Sequence, residues 1–62
     1  MKKILLVEDD DTLRETLAYN LTKEDYEVVQ TGDGAEALAL ARDTSPDLIV
    51  LDLQMPGMDG LE

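Results

Sequence analysis

Apolar runs of strand length alternate with helical segments along this chain, and that alternation limits the folds open to it. The first run, KILLV at Lys3–Val7, is continuous and suits a parallel strand covered on both faces. The second is YEVVQT, residues 26–31, rich in β-branched and aromatic side chains, and the third is LIVLDL, residues 48–53. Strands separated by helices predict a parallel sheet with right-handed crossovers, in the order β-α-β-α-β of the α/β class.

Two helices are predicted between these strands. The first covers about residues 12–22, and Thr12 with Glu15 at its start forms a T-x-x-E capping box. One apolar stripe, spaced four residues apart, runs along it: Leu13, Leu17 and Leu21. The second helix contains AEALALAR, a segment of high helix propensity, and Asp33 with Glu36 repeats the cap pattern ahead of it.

Charge and composition exclude several classes of function. The chain has 62 residues with 15 acidic against 5 basic side chains, a net charge of −10, which argues against nucleic-acid binding because phosphate contacts need clustered Lys and Arg. It has neither Cys nor His, so disulfides, thiolate zinc sites and imidazole ligands are excluded. No apolar stretch approaches the roughly 20 residues that span a bilayer, and we expect a soluble, cytoplasmic protein.

Acidic residues follow the first strand and interrupt the third. Glu8, Asp9 and Asp10 come after the first, and Asp52 lies within the third. In open parallel sheets ligands bind beyond the carboxyl ends of the strands, so we expect these carboxylates to share one pocket. Oxygen ligands of this kind suit magnesium, and a carboxylate beside the ion can attack a phosphoryl group to give an aspartyl phosphate. Acids that precede a helix also act as caps and favourable dipole partners, and this second interpretation stays open for the first cluster.

Three segments, KILLVEDDDTLRETL, DGAEALAL and PDLIVLDLQMPGMDGLE, resemble the receiver domain of two-component response regulators of the Glu-Asp type. The resemblance implies a flavodoxin-like, doubly wound sheet with local strand order 2-1-3. It implies a signalling module, not a turnover enzyme, in which a histidine kinase phosphorylates Asp52 with Mg2+. The metal ligands it implies are the carboxylates of Asp9 and Asp52, the backbone carbonyl of Gln54, and Glu8 acting through a water molecule. The family usually has Gly where this chain has Asp25, before the aromatic of YEVV, so mild strain is expected there.

Receiver domains contain further strands and helices, so residues 1–62 are expected to form the N-terminal half of one. In such a half the third strand is an exposed apolar edge, which predicts a homodimer or higher oligomer when the chain is isolated. DNA contact would then belong to an output domain outside these residues.

Two other functions are alternatives to the phosphoacceptor. One is a truncated half-domain whose chemistry no longer runs. The other is an aspartyl-phosphate phosphatase, but such enzymes carry D-x-D, and Gln54 stands where that motif needs an acid/base residue.

Overall fold

The computed structural model describes residues 1–51, and within them the predicted element order is confirmed. The elements are β1 (Lys3–Val7), α1 (Asp11–Lys23), β2 (Glu27–Thr31), α2 (Gly34–Thr44) and β3 (Leu48–Leu51). The second strand begins one residue later than predicted, and the predicted continuation of the third strand lies outside the described residues. Neither described helix is long and apolar enough to cross a membrane.

The described strands form one parallel sheet in the order β2-β1-β3, as the resemblance implied. The register pairs Val7 with Thr31 on one side and with Leu51 on the other. The two crossovers move in opposite directions across the sheet, from β1 to β2 and then from β2 past β1 to β3. Crossovers between parallel strands are right-handed as a rule. The helices therefore lie on opposite faces of the sheet.

The first strand is the core of the described structure. Four consecutive side chains are at most 2% exposed: Ile4, Leu5, Leu6 and Val7. Successive residues of a strand point to opposite faces, so the run supplies apolar contacts to both helix layers at once. On α1, Ala18 is buried, whereas the predicted stripe of leucines is only half-buried.

The third strand is much more exposed than the first. Leu48, Ile49 and Leu51 are 56%, 47% and 62% exposed. An apolar groove of about 340 Å³ lies between this strand and α2, and its lining includes Leu5, Leu38 and Ile49. Both the edge and one face of β3 are thus available within the described part of the chain.

The start of α1 differs from the prediction. Asp10, not Thr12, is the N-cap, and its Oδ1 accepts a hydrogen bond from the Leu13 N–H at 2.9 Å. Thr12 lies inside the helix, so the predicted Thr12–Glu15 capping box is wrong. Aspartate caps as well as threonine does, and sequence spacing alone does not choose among consecutive candidates.

At α2 the predicted cap residue is confirmed, but its partner differs. The Asp33 carboxylate accepts a hydrogen bond from the Ala35 N–H at 2.8 Å. In a capping box Glu36 would accept from the Asp33 N–H, but that N–H donates to the Thr31 hydroxyl at 3.1 Å. The hydroxyl in turn donates to the Glu36 carboxylate, so buried Thr31 relays the bond between cap and acid.

At the end of α1, Asp25 occupies a position at which glycine is usual. Asp25 has φ 71°, in the left-handed region, as the family's usual glycine at this position implied. The Tyr26 N–H donates to the Leu21 carbonyl and the Asp25 N–H donates to the Thr22 carbonyl. These two bonds form a Schellman motif, which favours glycine at the position Asp25 occupies.

Asp10→Ala should lower the free energy of unfolding by about 1 kcal/mol, because the Leu13 N–H loses its capping acceptor. Thr12→Ala is the control, since Thr12 is exposed and lies within the helix. Urea denaturation followed by circular dichroism measures both. An equal or larger loss in Thr12→Ala would contradict the assignment of the cap.

Asp25→Gly should raise the free energy of unfolding by about 0.5 kcal/mol, since relief of left-handed strain exceeds the extra entropy that glycine loses. It also removes a negative charge from the carboxyl end of α1, where the helix dipole disfavours it. Asp25→Asn removes only the charge and should fall between the two proteins in thermal melts. A glycine variant less stable than the parent would refute this account.

Candidate functional site

The acidic residues after β1 form a short loop at the carboxyl end of the sheet. This acidic loop, Glu8 to Asp10, joins β1 to α1. The Glu8 N–H donates to the Thr31 carbonyl at 3.0 Å, so the parallel pairing with β2 continues one residue into the loop. The loop therefore begins at a fixed position beside the end of β2.

Glu8 and Asp9 face different environments although they are adjacent. Glu8 is 0% exposed, and its Oε2 accepts a hydrogen bond from the Asp10 N–H at 2.8 Å. Asp9 is exposed. A buried carboxylate is costly unless other groups compensate its charge, so Glu8 marks this end of the sheet as a polar site. Of the two adjacent carboxylates, only that of Asp9 is open to solvent.

The remaining acids of the cluster serve the helix start. Asp10 caps α1, and exposed Asp11 pairs with Arg14, whose Nη2 donates to Asp11 Oδ1 at 2.6 Å. The capping interpretation, left open for the whole cluster by the sequence, therefore holds for Asp10. Glu8 and Asp9 remain as candidates for cation binding.

The predicted phosphoacceptor Asp52 and the predicted metal ligand Gln54 lie outside the described residues. Leu51, which precedes Asp52 in the sequence, pairs with Val7, which precedes Glu8. Within residues 1–51 no three acidic side chains lie close enough to hold a metal ion together. The described part of the chain thus supplies the loop carboxylates of a site but not a complete ligand set.

Sequence reasoning missed three residues that hold the acidic loop. Thr31 accepts the Glu8 N–H through its carbonyl, Arg14 donates from Nη1 to the Glu8 carbonyl at 2.9 Å, and Gly32 lies against that guanidinium. A signal for Arg14 was present, since it is a single arginine in the first turn of a helix that begins at the last of four consecutive acids.

Comparison with known proteins identifies the family of the chain. The family model described as the response regulator receiver domain matches residues 4–62. The chain belongs to the response regulator receiver domain family. The expected two-component receiver fold is thereby confirmed, and so is the three-stranded arrangement of its described part.

Curated relatives include transcriptional regulators. The chain is 48% identical over 61 residues to the alkaline phosphatase synthesis transcriptional regulatory protein PhoP of Bacillus subtilis. It is 45% identical over 62 residues to the transcriptional regulatory protein AfsQ1 of Streptomyces coelicolor, and 43% over 61 to the DNA-binding response regulator MtrA of Mycolicibacterium smegmatis. These matches cover 98%, 100% and 98% of this receiver chain but only 25%, 28% and 27% of the respective relatives.

Proposed function

We propose that the chain is a phosphoacceptor module in which a histidine kinase transfers a phosphoryl group to Asp52. The observation that carries this proposal is the parallel pairing of β1 with β3, in which Val7 lies beside Leu51. In the sequence, Glu8 and Asp9 follow Val7, and Asp52 follows Leu51. The acids of both strands therefore come immediately after one pair of neighbouring residues. Family membership supports the same assignment.

Magnesium fits the donors that the chain offers. The chain has no Cys or His, so its side-chain ligands are oxygen donors, which Mg2+ prefers. We propose that Asp9, Asp52 and the backbone carbonyl of Gln54 hold the ion and that Glu8 acts through a water molecule. The buried Glu8 carboxylate accepts the Asp10 N–H and so holds the loop backbone in place. Asp9 is exposed and therefore accessible to the ion.

The proposed transfer requires one nucleophile. A carboxylate oxygen of Asp52 attacks the phosphorus of a phosphohistidine, the phosphorus–nitrogen bond breaks, and the imidazole nitrogen keeps the electron pair and takes up a proton. An acyl phosphate on Asp52 results. Magnesium held by these oxygen ligands would offset negative charge on the transferring phosphoryl oxygens. We propose no enzymatic turnover, since Gln54 cannot act as the acid/base that a phosphatase of the D-x-D type needs.

The proposed output is the control of transcription, in keeping with the names of the relatives. Residues 1–62 carry a net charge of −10 and would repel the phosphates of DNA. We therefore propose that DNA contact in this protein is made outside these residues and that Asp52 controls it indirectly.

Incubation with acetyl phosphate and Mg2+ should add the mass of one phosphoryl group, because a small acyl phosphate can replace the kinase as donor. Intact-mass spectrometry measures the gain. Asp52→Asn should show none, and removal of Mg2+ by a chelator should abolish it in the parent.

Asp43→Asn is the matched control, because it removes the same charge from an exposed position in the last turn of α2. It should be phosphorylated like the parent. Phosphorylation of Asp52→Asn to the parental extent, with the parent folded, would refute Asp52 as the acceptor.

We also propose that the 62-residue chain, when produced alone, self-associates through β3. The support is the exposed Leu48, Ile49 and Leu51, which leave both an edge and the apolar groove of about 340 Å³ uncovered in the described structure. A second copy can satisfy the edge by pairing strand to strand. Repulsion between two chains of charge −10 opposes this, so salt should strengthen it.

Light scattering at micromolar concentration should give at least the mass of a dimer for the 62-residue chain. The associated fraction should rise at higher salt. Ile49→Lys should shift the chain toward monomer, since it places a charge on the exposed strand. Tyr19→Lys makes the same charge change at an exposed position on α1 and should leave the mass unchanged. A folded parent that stays monomeric would rule out the association.

A further inference from the structure

Arg14 reaches backward from the first turn of α1 to the end of β1. Its side chain is only 18% exposed, although an unpaired surface arginine would extend into water. Nη1 donates to the Glu8 carbonyl at 2.9 Å, and Nη2 donates to Asp11 Oδ1 at 2.6 Å. One guanidinium thus binds the backbone at the start of the acidic loop and a side chain just beyond its end.

Gly32 provides the space that this guanidinium occupies. A Cβ added at Gly32 would lie 2.6 Å from Arg14 Nη1 and 3.3 Å from the Glu8 carbonyl oxygen. Real Cβ atoms essentially never approach another atom as closely as the first of these distances. No described glycine has a positive φ, so the close approach of Arg14, not backbone conformation, is what favours glycine here.

The hydrogen bond from Arg14 to the Glu8 carbonyl restricts the whole peptide unit and not only its oxygen atom. The peptide that joins Glu8 to Asp9 is planar, so holding its oxygen sets the direction in which the Asp9 backbone continues. The Glu8 N–H is held by the Thr31 carbonyl, and the Glu8 side chain holds the Asp10 N–H. Arg14 completes this set, because it binds the peptide oxygen immediately before Asp9.

We infer that Arg14, seated on Gly32, is a positioning residue that orients Asp9 for binding of a divalent cation. The inference rests on the proposed function. The inference also predicts the opposite change in cation affinity, on removal of Arg14, from the change that simple electrostatics predicts. If Arg14 acted only as a nearby positive charge, its removal would strengthen cation binding, whereas a positioning residue must weaken it when removed.

The test is a titration with Mg2+ alone, in the protein as it occurs naturally, followed by the NMR shifts of the Asp9 and Asp10 amides. Arg14→Ala should weaken Mg2+ binding roughly 10-fold, the range found when groups that orient metal ligands are removed. Arg14→Lys should recover part of the loss, since one ammonium cannot serve both acceptors. Arg42→Ala removes the same charge from the last turn of α2 and should bind as the parent does.

Gly32→Ala supplies an independent route to the same defect, because the added methyl displaces the guanidinium. It should weaken Mg2+ binding in the parent but have little further effect in Arg14→Ala, so the double variant should be non-additive. The phosphorylation rate of each variant with acetyl phosphate should recover at saturating Mg2+, which separates positioning from damage to Asp52. Circular dichroism and the NMR spectrum verify that each variant is folded.

Each outcome is decisive. Arg14→Ala that binds Mg2+ as tightly as the parent, or more tightly, overturns the inference while leaving the proposed function intact. Additive losses in the double variant overturn the pairing of Arg14 with Gly32. If Arg14→Ala does not fold, the same titration of Arg14→Lys and Gly32→Ala, once shown to be folded, decides the question. A folded parent that neither binds Mg2+ nor becomes phosphorylated refutes the proposed function itself.

Discussion

The burial of β1 between two parallel neighbours is the constraint on which the rest of the structure depends. Its four apolar side chains supply the core on both faces of the sheet, so the helices must lie on opposite sides. Because β2 and β3 run parallel to it, the carboxyl ends of the strands meet at one edge. Whatever follows β1 therefore starts at that edge, and in this chain it is the acidic loop.

Neighbouring carboxylates in and beside the acidic loop look equivalent in the sequence but make different contacts in the structure. Glu8 is buried and holds the Asp10 N–H, Asp10 caps α1, and Asp11 pairs with Arg14. Asp9 is exposed to solvent. Three of these four consecutive acids thus make structural contacts, and those contacts restrict the backbone on either side of Asp9.

The fold could be predicted well because its signals are local and repeated. Strand runs, helix propensity and the family's usual glycine at the position of Asp25 each indicated the observed conformation. The capping errors have a physical cause. Several residues near each helix start can accept the same N–H groups, and packing decides which does so. At α1 Asp10 takes the place predicted for Thr12, and at α2 buried Thr31 intervenes between Asp33 and Glu36.

The sequence by itself determined the element order, the parallel sheet and the family, because periodicity and motif spacing are properties of consecutive residues. It also identified Glu8, Asp9 and Asp52 as the acids associated with the strand ends. Only the tertiary structure decided which loop carboxylate is buried, which caps the helix, and that Arg14 and Gly32 meet at the Glu8 carbonyl. Those contacts join residues from different elements, and their distances are set by how α1 and the end of β2 pack around β1.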